Sequence, residues 1–185
     1  MATAVERKAA AEVAEIARRL QEAKGNGVLN LCDCGLMKIP DAIYMVLMGT
    51  PIQGCDLSKN QLQKVPPKLP AKFNQLRDLN LSGNSISELP GEILLMSELN
   101  CLDLSSNRLR EVPQPVYSLA NLKVLRIMKN AISEIDVGKL LQMPSLQEVD
   151  LRGNPLSPEV KDSLLETRFH VQFDDIDDEE SMSVD

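Results

Sequence analysis

Leu76-Arg77-Asp78-Leu79-Asn80-Leu81-Ser82-Gly83-Asn84-Ser85-Ile86-Ser87-Glu88-Leu89-Pro90 is the stretch that decides the fold of this chain. It spells L-x-x-L-x-L-x-x-N-x-L-x-x-L-P, and the same spelling recurs on both sides of it. The polar marker falls at Cys34, Asn60, Asn84, Asn107, Asn130 and Asn154, at spacings of 26, 24, 23, 23 and 24. Every marker has an apolar residue five and three positions before it and two after, as in Cys55, Leu57 and Leu62 or Leu102, Leu104 and Leu109. Six copies in register, at a period between 20 and 50 residues, are the signature of a solenoid.

The period has a physical reason. One copy holds about seven inward apolar side chains, each worth about 1.5–3 kcal/mol when buried. Ordering one repeat costs about 1.5 kcal/mol for each of its residues, so a single copy cannot fold alone. Stacked coils bury both sides of each apolar layer, and the array folds as an array. The inward Asn serves backbone groups stranded where the chain bends after each short strand, because its amide both donates and accepts. Cys34 does this only weakly, which an end of the stack tolerates.

Between strands, Pro follows the last apolar residue in four copies: Ile39-Pro40, Val65-Pro66, Leu89-Pro90 and Val112-Pro113. Pro fixes φ and lacks an N–H, so it begins an irregular or short helical segment. Residues 42–48 are expected to be helical, and the segment holding Pro66, Pro67 and Pro70 extended. The fifth copy has Ile135-Asp136 and one extra residue, which predicts a fuller helical turn before Pro144.

Both ends of the array carry different patterns. Residues 3–24 place Val5, Ala9, Val13, Ile16 and Leu20 on one helical stripe, with Gly25 as the stop. This helix is expected to cover the first repeat, with a coiled-coil or partner-binding role as the alternative. Ser157-Pro158-Glu159 starts a short helix through Leu165, after which Phe169, Val171 and Phe173 alternate like an edge strand. The division is therefore 1–25 capping helix, 26–156 six repeats, 157–173 C-terminal cap and 174–185 acidic disordered tail.

Composition narrows the function classes. Hydrophobic residues make up 43% and aromatics 3%, with no Trp, so the core must be aliphatic. No apolar run reaches the ~18 residues of a membrane span. No secretory pattern follows the first Met, and the first helix is too acidic for a transit peptide, so a cytoplasmic location is expected. The net charge is −7, yet residues 174–185 alone hold seven acids and no base. The remaining body balances, and with no basic run nucleic acid is not an expected ligand. Four cysteines without paired spacing point to free thiols, and a single histidine makes a metal site improbable.

The L-P repeats resemble the intracellular Ras-suppressor-like class of leucine-rich repeats. Pro40 with Ile43-Tyr44 and Val46-Leu47, Lys139-Leu140 with Met143-Pro144 and Leu146, and Asn154-Pro155-Leu156 with Glu159-Val160 carry a narrower likeness to small members of that class. It covers roughly residues 26–173, and the acidic tail is not part of it. The fold class expected is α/β: a leucine-rich repeat solenoid with a right-handed coil and a parallel concave sheet, capped at both ends. The resemblance implies a small intracellular repeat protein and brings no catalytic residues.

In this architecture the residues between inward leucines line the concave face in three columns. The first is Val28, Gly54, Asp78, Cys101, Val124, Glu148; the central one Asn30, Asp56, Asn80, Asp103, Arg126, Asp150. The third is Cys32, Ser58, Ser82, Ser105, Met128, Arg152. Candidate partner-binding residues are Asp56, Asp78, Asn80, Asp103, Val124, Arg126, Met128, Asp150 and Arg152. Arg126, with apolar neighbours, has the makeup of an interface centre; alternatively it neutralises Asp103 and Asp150. A convex column of Tyr44, Pro70, Leu94 and Tyr117 is a second candidate, its tyrosines expected to be partly exposed. No Gly-rich phosphate loop or G-x-S-x-G is present, and His170 falls in the expected end-cap strand, away from any nucleophile that spacing would pair with it. The expectation is a non-catalytic, cofactor-free scaffold or adaptor, monomeric, binding a protein partner. The alternative is a regulatory subunit holding a phosphatase or small GTPase.

Overall fold

The structure, a computed structural model, describes residues 3–174, and residues 4–9 by their backbone alone. Six strands of three residues each, β1 (Val28–Asn30), β2 (Gly54–Asp56), β3 (Asp78–Asn80), β4 (Cys101–Asp103), β5 (Val124–Arg126) and β6 (Glu148–Asp150), come one from each repeat. A seventh, β7 (His170–Gln172), comes from the C-terminal cap. They form one parallel sheet in sequence order, paired residue for residue: Leu29, Cys55, Leu79, Leu102, Leu125, Val149 and Val171 form one row. From Leu29 to Val149 the members of that row are at most 3% exposed. The leucine positions thus face inward and the concave columns outward.

The convex side closes each coil with a short helical segment. α2 (Asp41–Val46), α3 (Lys68–Lys72) and α4 (Val137–Gln142) are α-helical, and Gly91–Leu95 and Gln114–Ser118 are 3-10 turns. The residues that anchor them, Ile43, Leu69, Ile93, Val116 and Leu140, are at most 2% exposed. α4 is the fuller turn expected before Pro144, with the Asp136 carboxylate accepting from the Lys139 N–H at 3.0 Å. α3 corrects the extended segment expected from its prolines. Pro70 falls within the first turn, where N–H groups have no intrahelical partner anyway, so its missing donor costs nothing. Phe73 then closes α3 by donating to the Leu69 carbonyl at 2.9 Å.

The backbone turns the same way at the residue before each marker. Asp33, Lys59, Ser106 and Lys129 have φ of 55°, 54°, 55° and 50°, and Gly83 and Gly153 have 66° and 72°. Four of these six positions therefore carry side chains in a region that favours glycine, held there by the stacked coils. A Cβ on Gly153 would lie 2.9 Å from Lys129 Cγ, so the two neighbouring turns are in close contact.

The opening helix α1 (Ala4–Asn26) packs on β1. Leu20 and Ala23 are 8% and 0% exposed and Ile16 is half-buried, whereas Val13 is 68% exposed and leaves the expected stripe. The stop is Gly27, at φ 72°, and not Gly25; its N–H donates to the Ala23 carbonyl at 2.9 Å. At the far end α5 (Pro158–Leu165) starts with Ser157 accepting from the Val160 N–H at 3.4 Å. Phe169 is 7% exposed, and Val171 and Phe173 pack beside it on the last layer. The tail expected over residues 174–185 lies, past Asp174, outside the described residues.

Candidate functional site: the concave face

Behind the concave sheet runs the asparagine ladder that holds its strands in place. Asn60, Asn84, Asn107, Asn130 and Asn154 each donate from Nδ2 to the carbonyl three residues back and to its counterpart in the preceding repeat, at 2.8–3.1 Å. Each Oδ1 accepts a backbone N–H of the preceding repeat: Leu36, Leu62, Ile86, Leu109 and Ile132. Cys34 has no amide to offer, and its Sγ lies 3.6 Å from the Cys32 carbonyl. Arg19 of α1 stands in for it, donating from Nη1 to the Cys32 carbonyl at 2.8 Å and to Cys34 Sγ at 3.4 Å. Glu15 holds that guanidinium in turn at 2.8 Å.

The central concave column has a structural task that the sequence reading missed. Asn30, Asp56, Asn80, Asp103 and Asp150 each accept, through Oδ1, the backbone N–H two residues on, at 2.8–3.3 Å. The hydrogen bond closes an Asx turn at the end of each strand. The repeated Asx-Leu-Ser at 56–58, 80–82 and 103–105 was the available signal. Arg126 is the exception: a guanidinium has no acceptor, so it cannot cap its own strand.

The charges around Arg126 bear on the alternative that it neutralises Asp103 and Asp150, since it acts on Asp150 by charge without a hydrogen bond. Arg152 takes Asp150 in a two-pronged pair, Nη2 to Oδ2 at 2.6 Å and Nε to Oδ1 at 3.0 Å. Among the described residues Arg126 has no carboxylate within ion-pairing distance; its Nη1 reaches Cys101 Sγ at 3.6 Å. Burial pushes the Cys101 thiol up, against the pull of Arg126 beside it. Arg126 is half-buried, between half-buried Val124 and Met128 on its own chain and Cys101 on the next strand.

The other candidates divide by exposure. Asp78 and Arg152 are exposed, and Asp56, Asn80 and Asp103 half-buried, whereas Asp150 is 3% exposed. The third column is sunk in places, Ser58 at 4% and Ser105 at 9%. On the convex side Tyr44 corrects the expectation of a partly exposed tyrosine. It is 5% exposed, packed at a tilt against Phe73 with ring centroids 5.6 Å apart and with Lys68 Nζ 5.2 Å from its ring. Large neighbours from the second repeat cover it. Tyr117 is half-buried under Lys139, and burial pushes its hydroxyl up to about 12.

Asp150 sets a pH dependence. Burial alone would raise its carboxyl, but the Arg152 side-chain and backbone hydrogen bonds, helped by the charge of Arg126, outweigh it and hold the group below the ordinary carboxylate range. A carboxyl lowered by folding stabilises above its unfolded value of about 3.9, and that stabilisation is lost as pH falls through the folded value. Asp150→Asn is therefore expected to lose stability at pH 6 and to converge on the unaltered protein at pH 2–3. Urea melts at the two pH values check this; parallel curves at both would refute it.

Among the described residues no three His, Cys, Asp or Glu side chains are grouped to hold a metal ion. The four cysteines are free. No helix among those residues is long and apolar enough to cross a membrane.

A parallel sheet on one face, short helical returns on the other and an internal asparagine ladder define a leucine-rich repeat protein. The chain belongs to that family: the model for a leucine-rich repeat region matches residues 29–168, and relatives named leucine-rich repeat-containing protein 20 match most of its length. The mouse relative is 50% identical over 84% of this chain and 86% of its own; the human one is 47% identical over 80% and 83%. A leucine-rich repeat protein of Leptospira interrogans superposes on 76% of the chain with a TM-score of 0.62 at 28% identity. This chain spans about a third of that structure, at 34%. A chain from the BIR3–SERK2 complex of Arabidopsis thaliana superposes on 77% of this chain and 71% of its own, with a TM-score of 0.54 at 25% identity.

Proposed function

We propose that this protein is a scaffold or adaptor that binds a protein partner on its concave face, centred on Arg126, Val124 and Met128. The observation that carries the reading is the Asx column. Five of its six members spend their side chains closing their own strands, whereas Arg126 closes none and, among the described residues, bonds only to the Cys101 sulfur, set among apolar side chains. An arginine with apolar surroundings, whose one internal bond is a 3.6 Å contact to sulfur, has its other donors free for a guest, and such residues are common interface centres. Asp78, Asp103 and Arg152 form the polar rim of this centre, and Asp56 and Asn80 continue it toward the first repeats. Asp150 contributes by fixing Arg152. A structural neighbour taken from a two-protein complex, BIR3–SERK2, is in keeping with this reading. The free thiols fit a reducing cytoplasm. The reading includes no catalytic step and no cofactor.

Affinity capture with the full chain tests the centre. Arg126→Glu is expected to lower recovery of specifically bound protein at least tenfold, and Met128→Glu to do the same through desolvation of a charge. Both lie on the surface, so their melting temperatures should stay within a few degrees of the unaltered protein. An unchanged captured set with both variants would refute the concave reading. Loss of a phosphatase or small GTPase from the set would make the protein a regulatory subunit.

A further inference from the structure

The flank of the solenoid just past the ladder carries a second polar surface, separate from the concave floor. Here each repeat passes through one buried residue, Leu62, Ile86 or Leu109, with its neighbours on either side turned outward. Ser85 and Ser87 flank Ile86, and Arg108 and Arg110 flank Leu109 in the next repeat. Their relative placement is pinned. The Ile86 N–H donates to Asn107 Oδ1 at 2.9 Å, and the Ile86 carbonyl accepts from the Arg108 N–H at 2.9 Å. With Gln63, Lys64 and Glu111 they line a groove of about 780 Å³.

The two arginines are unusual in this protein. Arg18, Arg19, Arg77, Arg126, Arg152 and Arg168 each donate to an oxygen or a sulfur. Among the described residues, Arg108 and Arg110 are exposed and bond to no side chain or carbonyl through their guanidinium groups. Lys64 holds Glu88 at 3.5 Å, which leaves Glu111 as the acid in a groove with three bases. Arg108 and Arg110 stand two residues apart, on either side of buried Leu109, and both line the groove. That spacing lets both converge on one dianion.

We infer that this groove binds a phosphorylated serine or threonine in an extended segment of a partner protein, with Arg108 and Arg110 on the phosphate oxygens and Ser85 and Ser87 as added donors. A phosphate monoester carries −1.5 to −2 charges and three acceptor oxygens, enough to engage both forks; a carboxylate fills one. The walls favour a peptide over the other carriers of that group. No aromatic ring lines the groove to stack a nucleobase, and no apolar side chain lines it to enter a lipid layer. Gln63 and the two serines instead offer hydrogen bonds to a polar main chain.

The test uses the full chain at 150 mM salt and a fluorescein-labelled peptide pool. Phosphoserine stands at its centre, and all residues except Cys occupy the three positions on each side. Matched pools carry Ser or Glu at the centre. The phosphoserine pool is expected to bind at least tenfold tighter than either, by anisotropy. R108Q/R110Q together should erase that preference, with R108Q and R110Q each removing part of it. Melting temperature and circular dichroism establish that these exposed substitutions leave the fold intact. Phenyl phosphate should shift the side-chain Nε–Hε resonances of Arg108 and Arg110 and leave that of Arg77, paired with Glu98, in place. Equal binding of the Glu pool, preference surviving R108Q/R110Q, or binding only to vesicles of phosphatidylcholine with 10% phosphatidylinositol phosphate would each overturn the inference.

Discussion

Leu102→Ala is expected to destabilise the fold by about 4 kcal/mol, near the upper end of the range for buried leucines. Leu102 is fully buried and lies in β4 between Leu79 of β3 and Leu125 of β5, themselves 2% and 0% exposed. A cavity is costliest where its walls cannot collapse. Here the strands on both sides are tied to each other by the backbone ladder and behind by Asn107 and Asn130. The neighbouring leucines therefore cannot move in to fill the void. A change of this size corresponds to a fall in melting temperature of roughly 10 °C for a chain of this length. Urea unfolding should show a lower midpoint with an unchanged slope. A loss under about 1.5 kcal/mol would mean that the coils are softer than their packing indicates.

Asn84→Ala is expected to cost about 3 kcal/mol, although it removes few atoms. The Leu62 N–H is buried and bonds to Asn84 Oδ1 at 3.0 Å, so the substitution orphans it. The carbonyls of Leu57, Leu81 and Ser82 each lose the Nδ2 donor, at 3.0, 2.9 and 3.3 Å. They lose less than the N–H does. Leu57 keeps a bond from Asn60, Leu81 one from Asn107, and Ser82 one from the Lys59 N–H. The penalty is therefore that of one orphaned donor and three weakened acceptors, not of four orphaned groups. Cys34→Ala at the end of the stack provides the contrast, expected to cost under about 1 kcal/mol, because the thiol makes a long, weak bond there and Arg19 already serves the Cys32 carbonyl. Similar losses at the two positions, measured by urea titration, would show that the ladder is not cooperative along the array.

Repetition explains how much of this molecule was legible beforehand. The strand positions, the parallel register and the inward row from Leu29 to Val149 followed from one fifteen-residue pattern read six times. The three concave columns followed with it, because strand geometry assigns alternate residues to opposite faces. Local rules failed in two ways, at a proline position that a helix start tolerates and at a residue whose partners sit on another coil. The prolines around Pro70 read as extended, but the first turn of a helix absorbs them. Tyr44 read as half-exposed until Phe73 and Lys68 of the next repeat covered it.

By itself, then, the amino-acid order determined the family, the number of coils and which side chains face the core, since those depend on period and alternation alone. Tertiary structure decided how the charges are shared. It gave Asp150 to Arg152, left Arg126 with a sulfur contact in place of a carboxylate, sent Arg19 to the end of the ladder in place of an amide, and brought Arg108 and Arg110 beside Ser85 and Ser87 from the preceding coil. Apart from Asp150 and Arg152, two residues apart on one coil, those contacts join neighbouring elements 13 to 25 residues apart in the chain but a few ångströms apart in space. No periodicity encodes which of several nearby charges will meet.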